Sequence, residues 1–153
     1  MRPYSRVEHP TLIVDRERAR ENIRRMAEKA RLSNVRFRPH FKTHQSKDAA
    51  EWFREFGTSH VTVSSLSMAA YFARHGWTDI TVAFPLNRRE LHRAAELSEQ
   101  VRLNLLLLDE ETAEVLNERL TTRVDVWMKV DTGYGRTGVR WDNYDSAVAL
   151  ARK

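Results

Sequence analysis

The chain has 153 residues, 41% apolar and 31% charged, with a net charge of +5. This length suffices for one domain with a substantial core, and no apolar run approaches the ~20 residues of a membrane-spanning helix, which argues against a transmembrane protein. The chain contains no cysteine. Disulfides, thiolate metal sites and a cysteine nucleophile are therefore excluded, and a metal ion would need His and carboxylate ligands.

The positive charge is distributed among acidic residues: 26 Lys and Arg stand against 21 Asp and Glu. Such mixing is typical of solvated helix faces, so we expect no nucleic-acid partner. The first ten residues carry charges and prolines where a secretory peptide would have its apolar stretch. The expected location is therefore the cytoplasm.

Hydrophobic spacing predicts alternating strands and helices. Residues 10–15 form a short apolar run that predicts a strand, and Asp15 or a neighbour is expected to cap the helix that follows. Apolar residues recur along this helix at three- and four-residue steps, which places them on one face. They are Ala19, Ile23, Met26, Ala27 and Ala30.

The strand and helix then repeat without a linker. Residues 35–44 alternate with period two and predict a strand, and Ser46 is expected to cap the next helix. Further strands are predicted over residues 60–65, 79–85, 101–108 and 124–131. Helices are predicted to begin near Leu66 and, after a glycine loop at residues 132–138, near Asp142, and Asn87 and Asp109 are expected to cap the two helices between them.

Strands that recur every 19 to 25 residues with helices between them indicate an α/β fold with a parallel sheet. Two architectures fit. One is part of a (β/α)8 TIM-type barrel, about five βα units of a fold that typically needs ~250 residues. The other is an open doubly wound parallel sheet, which the length favours. In either case residues 1–153 form one domain.

Two predicted strands carry an unusual polar face. Residues 36, 38, 40, 42 and 44 are Arg, Arg, His, Lys and His, and residues 125, 127, 129 and 131 are Asp, Trp, Lys and Asp. Parallel strands of an open sheet are covered on both sides and should be apolar throughout. The pattern therefore favours a barrel with a ligand at the carboxyl ends of its strands. An edge strand protected by its lysine is the alternative for both Lys42 and Lys129.

Lys42 is the candidate nucleophile. Desolvation and neighbouring cations lower the pKa of an amine, so that more of it is neutral and able to form a Schiff base with an aldehyde such as that of pyridoxal phosphate. His40 and His44 are alternative metal ligands, but this strand has no carboxylate beside them.

The glycine loop contains Gly133-Tyr-Gly-Arg-Thr-Gly138, a formal match to G-x-G-x-x-G. A dinucleotide site is not favoured, because that motif belongs to the first βα turn and here it follows the fifth strand. The alternative is a loop whose glycines let the backbone approach a flat cofactor and whose Arg136 donates hydrogen bonds to it.

Two motifs together resemble one family: Arg38-Pro-His-Phe-Lys-Thr-His44 and Val130-Asp-Thr-Gly-Tyr-Gly-Arg-Thr-Gly-Val139. They are similar to those of the pyridoxal-phosphate enzymes of the alanine-racemase-like fold, in particular the D-threonine aldolase and D-serine dehydratase branch. The resemblance implies that Lys42 forms the Schiff base, that His40 lies at the cofactor, and that Arg136 faces the phenolic oxygen of its ring. Lys129 is a further candidate beside Arg136.

The resemblance also implies an activity: a lyase acting on D-3-hydroxy amino acids. The alternatives are an amino-acid racemase, such as an alanine racemase, and a non-catalytic pyridoxal-phosphate-binding protein. Family members continue through the rest of the barrel into a β-rich domain with metal ligands, so a divalent metal would be bound there, and no metal ligand is assigned here. We expect this chain to be the N-terminal part of a longer, homodimeric enzyme, and to bind cofactor weakly and lack turnover by itself.

Overall fold

The computed structural model describes residue 5 and residues 7–153. The helices of this part of the chain are α1 (Arg16–Leu32), α2 (Lys47–Arg54), α3 (Leu66–Arg74), α4 (Leu91–Ser98), α5 (Glu110–Arg119) and α6 (Tyr144–Ala151). Its strands are β1 (His60–Val63), β2 (Asp79–Pro85), β3 (Arg102–Leu107), β4 (Asp125–Met128), β5 (Val130–Asp131) and β6 (Val139–Arg140). Short 3-10 turns lie at Phe41–Thr43 and Arg88–Glu90.

The main sheet is parallel and its strands lie side by side in chain order, β1-β2-β3-β4. A single parallel bridge between His40 and Thr62 adds the preceding segment beside β1. An open doubly wound sheet reverses its strand order at a switch point, whereas a (β/α) barrel adds each strand next to the last. The chain-order sheet therefore confirms the prediction of a partial barrel of the α/β class.

One face of this sheet is packed against helices. Along β1, β2 and β3, the side chains at alternating positions on this face are fully or almost fully buried against the apolar faces of the helices. From the strands they are Val61, Val63, Ile80, Val82, Leu103, Leu105 and Leu107, and from the helices Ala69, Phe72, Ala94, Leu97, Ala113 and Leu116. The opposite face, called the inner face below, carries the polar residues Asp79, Asn104 and Trp127.

Three helices begin at their predicted capping residues, whereas α4 begins at Leu91, after a 3-10 turn that the predicted cap Asn87 starts. Asp15, Ser46 and Asp109 each accept a hydrogen bond from the backbone N–H three residues ahead, which confirms all three caps. The last helix begins later than predicted: Asn143 is its cap, and Asp142 forms an ion pair with Arg140 at 2.6 Å. An aspartate engaged by an adjacent guanidinium is less free to accept from the helix N–H groups.

Two of the predicted strands do not form. Residues 10–15 join no strand in the part of the chain that the structure describes, and Leu12 is 82% exposed. Residues 35–44 are reduced to the His40 bridge followed by the turn at Phe41–Thr43. The backbone carbonyl of Pro39 does accept from Thr62 N at 2.8 Å, but proline has no N–H to give back.

The predicted helix face of α1 is only partly buried. Ile23 is buried, whereas Met26 is half exposed, because α1 packs chiefly against α2 at one side of the sheet. An ion pair between Arg20 and Glu55 links α1 to the end of α2. None of the helices in the described part of the chain has the length and apolarity needed to cross a membrane.

The fifth predicted strand is divided at Lys129. β4 ends at Met128, and β5 pairs in parallel with β6 across the glycine loop rather than continuing the main sheet. The backbone of Lys129 joins the two ladders: its N–H donates to Leu107 at 3.1 Å and its carbonyl accepts from Val139 at 2.9 Å. Lys129 thus lies at the carboxyl edge of the main sheet, immediately before the loop.

Candidate functional site

The segment His40–His44, called the Lys42 turn below, begins at the residue that bridges to Thr62 and continues into the 3-10 turn. The ring Nδ1 of His40 accepts a hydrogen bond from the backbone N–H of Lys42 at 3.2 Å and so caps the turn. Gln45 closes it, with a φ of 49° and an N–H that donates to Phe41 at 3.0 Å. The turn is therefore a defined structure, fixed by bonds from both sides of Lys42.

Phe41 fixes this turn to the core. It is 0% exposed, and its ring centroid lies 5.1 Å from that of Phe53, 4.9 Å from Phe72 and 5.1 Å from Trp77. Aromatic rings at such distances pack favourably beyond the area they bury. The adjacent Lys42 side chain is exposed, so the desolvation expected from the sequence is not observed, and a buried residue holds the backbone from which an exposed amine extends.

The two histidines of the turn have different surroundings. His40 is half-buried, and burial together with the nearby Lys42 charge lowers its pKa. Because its Nδ1 accepts a hydrogen bond, its neutral form carries the proton on Nε2. The ring of His44 points into the aromatic cluster, 4.7 Å from Phe41, and burial lowers its pKa.

Alternation predicted that the side chains of residues 36, 38, 40, 42 and 44 lie on one polar face. This prediction is wrong for His44, whose ring lies in the aromatic cluster. The 3-10 turn changes the side-chain direction, so strict alternation ends at His40. His44 Nδ1 accepts from Ser46 N at 3.1 Å, and its Nε2 is buried. Within residue 5 and residues 7–153, no three His, Asp or Glu side chains come together in a group that could hold a metal ion.

The glycine loop, residues 132–138, is shaped by Asp131, which precedes it, and by its last residue, Gly138. The Asp131 carboxylate accepts hydrogen bonds from the N–H groups of Gly133 and Gly135 at 3.0 Å. All three loop glycines have positive φ, and Gly138 at 129° lies where other residues are strained. Arg136 is exposed, with its guanidinium 5.2 Å from the centroid of the Tyr134 ring.

Gly138 admits no side chain. A Cβ there would lie 2.9 Å from the backbone N of Asp131 and 3.0 Å from the carbonyl of Lys129. We expect Gly138→Ala to lower the free energy of unfolding by about 3 kcal/mol, since backbone strain and overpacking act together. Urea unfolding followed by circular dichroism measures it.

The matched control is Gly57→Ala. Gly57 also has a positive φ, 80°, but among the described residues no heavy atom beyond its chain neighbours lies within 4 Å of the point where a Cβ would stand. Gly57→Ala should lower the free energy of unfolding by about 1 kcal/mol, because only the left-handed backbone conformation disfavours alanine there. Equal losses at the two glycines would contradict the close packing at Gly138.

A polar network that the sequence did not single out lies on the inner face, toward the amino ends of the strands. Asp79 accepts from Arg38 at 2.7 Å and from the Asn104 amide at 3.1 Å, and the Asn104 oxygen accepts from the Trp127 ring N–H at 3.3 Å. Burial acts to raise the pKa of Asp79, but the Arg38 hydrogen bond and the nearby charges lower it overall. A second pair, Arg102 with Asp125 at 2.5 Å, lies beside it.

This network places the predicted inward residues Asp125 and Trp127 as expected. Asp79 and Asn104 were missed, although Asn104 is the one polar residue within the apolar run of β3 and is 3% exposed. An isolated amide in a buried strand signals a hydrogen-bonded partner, because an unpaired one would be costly. Lys42, Lys129 and Arg136 lie outside this network: Lys42 follows the His40 bridge, Lys129 follows β4, and Arg136 follows β5.

Comparison with known proteins decides the family. The chain matches the alanine racemase N-terminal domain over residues 14–153. The protein belongs to this family. It is 31% identical over 147 residues to the D-threo-3-hydroxyaspartate dehydratase of Delftia sp. strain HT23, and 26% identical over 153 residues to the D-threonine aldolase of Arthrobacter sp..

Solved structures agree with this membership. The Delftia dehydratase superposes with a TM-score of 0.88 over 96% of this chain and 40% of its own. The D-threonine aldolase of Filomicrobium marinum, 28% identical, superposes with a TM-score of 0.82 over 88% of this chain and 37% of its own. The chain covers 39% of both the Delftia dehydratase and the Arthrobacter aldolase.

In this alanine racemase N-terminal domain, Lys42 and Arg136 each lie after a strand segment, Lys42 beside the main sheet and Arg136 after the two-stranded β5–β6 sheet. Lys42 follows the His40 bridge and Arg136 follows β5, so both lie beyond carboxyl ends of strands. Among the described residues, no hydrogen bond joins Lys42 to Arg136, and β1 alone pairs with the Lys42 segment, which puts it at the sheet edge. The exposed Lys42 amine can act as a nucleophile toward an aldehyde. The exposed Arg136 guanidinium can donate hydrogen bonds to an anionic oxygen.

Proposed function

We propose that this chain is the N-terminal part of a pyridoxal-phosphate-dependent lyase that acts on D-3-hydroxy amino acids. The observation that carries the proposal is the Lys42 turn: an exposed amine at the carboxyl edge of a barrel-type sheet, on a backbone fixed by the buried Phe41. The relatives named above, a hydroxyaspartate dehydratase and D-threonine aldolases, supply the reaction class and the substrate class.

Lys42 is the residue that would bind the cofactor aldehyde. Its amine is exposed and so reachable by a flat ligand. When bound, pyridoxal phosphate supplies an electron sink for bond breaking at the α-carbon of an amino acid. The backbone on either side of Lys42 stays fixed through the His40 cap and the Phe41 ring, so the amine is presented from a constant position.

His40 and Arg136 would act by hydrogen bonding. His40 carries its ring proton on Nε2, because Nδ1 accepts from the Lys42 backbone, and its lowered pKa keeps it neutral near pH 7. It can therefore donate to an acceptor beside Lys42. The Arg136 guanidinium would donate to the anionic phenolic oxygen of the cofactor. By the same resemblance Lys129, whose backbone joins the two ladders, would be a second cation beside Arg136.

Lyase chemistry is favoured over racemisation by the comparison itself. The dehydratase is 31% identical to this chain over 94% of its length. Solved alanine racemases from Oenococcus oeni and Bacillus anthracis are 17% and 21% identical and indicate the fold alone. A non-catalytic pyridoxal-phosphate-binding protein remains the contrasting hypothesis, since it would keep Lys42 without turnover.

The test uses the longest natural protein that contains this sequence. Purified with pyridoxal phosphate, it is incubated with D-threo-3-hydroxyaspartate, D-threonine, D-serine and D-alanine, with the L-enantiomers as controls. We expect release of ammonia or of an aldehyde from at least one D-3-hydroxy amino acid and none from its L-enantiomer. Racemisation without either product would reject the lyase, and cofactor binding without any turnover would favour the non-catalytic protein.

A further inference from the structure

Asp131 is the residue through which the glycine loop is attached to the sheet. Its carboxylate receives N–H groups from both Gly133 and Gly135, the second reaching both carboxylate oxygens at 3.0 and 3.1 Å. Gly135 directly precedes Arg136 in the chain. The backbone immediately before the arginine is therefore held by a side chain that lies outside the loop.

The backbone of Asp131 is itself fixed. Its carbonyl accepts from Trp141 N at 3.0 Å, and it pairs with Arg140 in the β5–β6 ladder. The close approach of Gly138 to the Asp131 N–H adds a packing contact on the same residue. The carboxylate thus extends from a rigid ladder, whereas the loop that it holds is exposed.

Arg136 has few constraints of its own. Its described contact is the ring of Tyr134, which is 82% exposed. A cation over an exposed ring is held by about 0.5–1 kcal/mol, too little to keep a long side chain in one orientation. The direction of Arg136 therefore depends on the backbone at Gly135, and so on Asp131.

We propose that Asp131 is a positioning residue, whose carboxylate holds the glycine loop in the shape that directs Arg136 toward the cofactor. This inference rests on the proposed function, because it assigns Arg136 a cofactor to face. Asp131 touches the loop and not the ligand, so its effect on cofactor binding passes entirely through Arg136.

The charge of Asp131 suits this role. The N–H groups of Gly135, Gly133 and Tyr134, followed by the nearby Lys129 charge, lower its pKa, and Arg140 is a further charged group that interacts with it. A carboxylate with a lowered pKa stabilises the folded loop above its ordinary pKa, and that stabilisation is lost as pH falls through the lowered value. The loop should therefore stay attached across neutral pH and loosen only in acid.

The first test measures the loop without any cofactor. Solvent exchange of the Gly133 and Gly135 amides is followed by NMR at neutral pH in the chain and in Asp131→Ala, with circular dichroism as the check on folding. We expect these two amides to exchange about tenfold faster in the variant, the equivalent of about one hydrogen bond. Asp142→Ala is the matched control, because Asp142 pairs with Arg140 outside the loop, and it should leave both amides unchanged.

Should the alanine variant not fold, Asp131→Asn keeps the side-chain shape and one carbonyl acceptor. It should accelerate exchange in the same direction by a smaller factor. Unchanged exchange at both glycines in the folded variant would overturn the inference and leave the proposed function untouched.

The second test asks whether Asp131 acts through Arg136. The dissociation constant for pyridoxal phosphate is measured in the longest natural protein for Asp131→Ala, Arg136→Ala and the double variant. We expect each single change to weaken binding about tenfold and the double variant to be no weaker than Arg136→Ala, since residues acting as one unit are not additive. Additive losses would overturn the positioning role. If the wild-type protein binds no pyridoxal phosphate, the proposed function is overturned, and Arg136 has no cofactor to face. The amide-exchange result would still show whether Asp131 holds the loop.

Discussion

Replacing Lys42 with arginine should abolish covalent binding of pyridoxal phosphate and lower turnover by about a thousandfold or more. Arginine keeps the positive charge, but its guanidinium does not deprotonate in proteins and so offers no nucleophilic amine. The side chain is exposed, so the fold should not change. The measurement is the visible absorbance of the bound cofactor, followed by borohydride trapping and peptide mass analysis in the longest natural protein that contains this sequence.

The control for this prediction is Lys47→Arg. Lys47 is an exposed lysine at the first residue of α2, five positions along the chain, and its replacement should leave both the band and the trapped peptide unchanged. Lys129→Arg tests the second candidate for the lysine to which the cofactor is attached. Loss of the trapped adduct in Lys129→Arg, together with its survival in Lys42→Arg, would move the attachment site to Lys129.

Phe41→Ala should cost about 4 kcal/mol of the free energy of unfolding, as removal of a fully buried aromatic ring leaves a cavity. Phe41 contacts the rings of Phe53, Phe72 and Trp77, which belong to α2, α3 and the segment before β2. The cavity would therefore loosen several elements at once. Since domains of this size are stable by about 5–15 kcal/mol, this one change would remove a large part of the total.

Urea unfolding monitored by circular dichroism measures this loss, and Phe84→Ala is the matched control. Phe84 is 62% exposed on β2, so the same truncation should change the free energy of unfolding by less than about 0.5 kcal/mol. A similar cost at both positions would mean that the aromatic cluster does not hold the Lys42 turn.

Much of the local structure was predictable from short-range chemistry. The caps at Asp15, Ser46 and Asp109 need only a side-chain oxygen and an N–H three residues away. The strand faces of β3 and β4 follow from alternation, which correctly assigned Trp127 to the inner face. These features depend on neighbours in the chain, and the chain order alone supplies them.

The Lys42 turn was less predictable, because alternation competes there with two specific residues. Pro39 cannot donate to a neighbouring strand, and the His40 ring caps a turn instead of continuing the ladder. His44, expected beside Lys42, consequently enters the aromatic cluster. A period-two pattern predicts side-chain direction only while the backbone stays extended.

Sequence patterns were enough to establish the α/β class, the helix starts at Asp15, Ser46 and Asp109, and the two motifs that carry Lys42 and Arg136. Tertiary structure alone decided between a barrel-type and a doubly wound sheet, since both contain the same strands and differ only in their order. It also decided the partnership of Asp79 with Arg38 and Asn104, whose members are 41 and 25 positions apart. Local patterns specify which residues become strand or helix, whereas contacts between distant residues form only when packing closes the intervening chain.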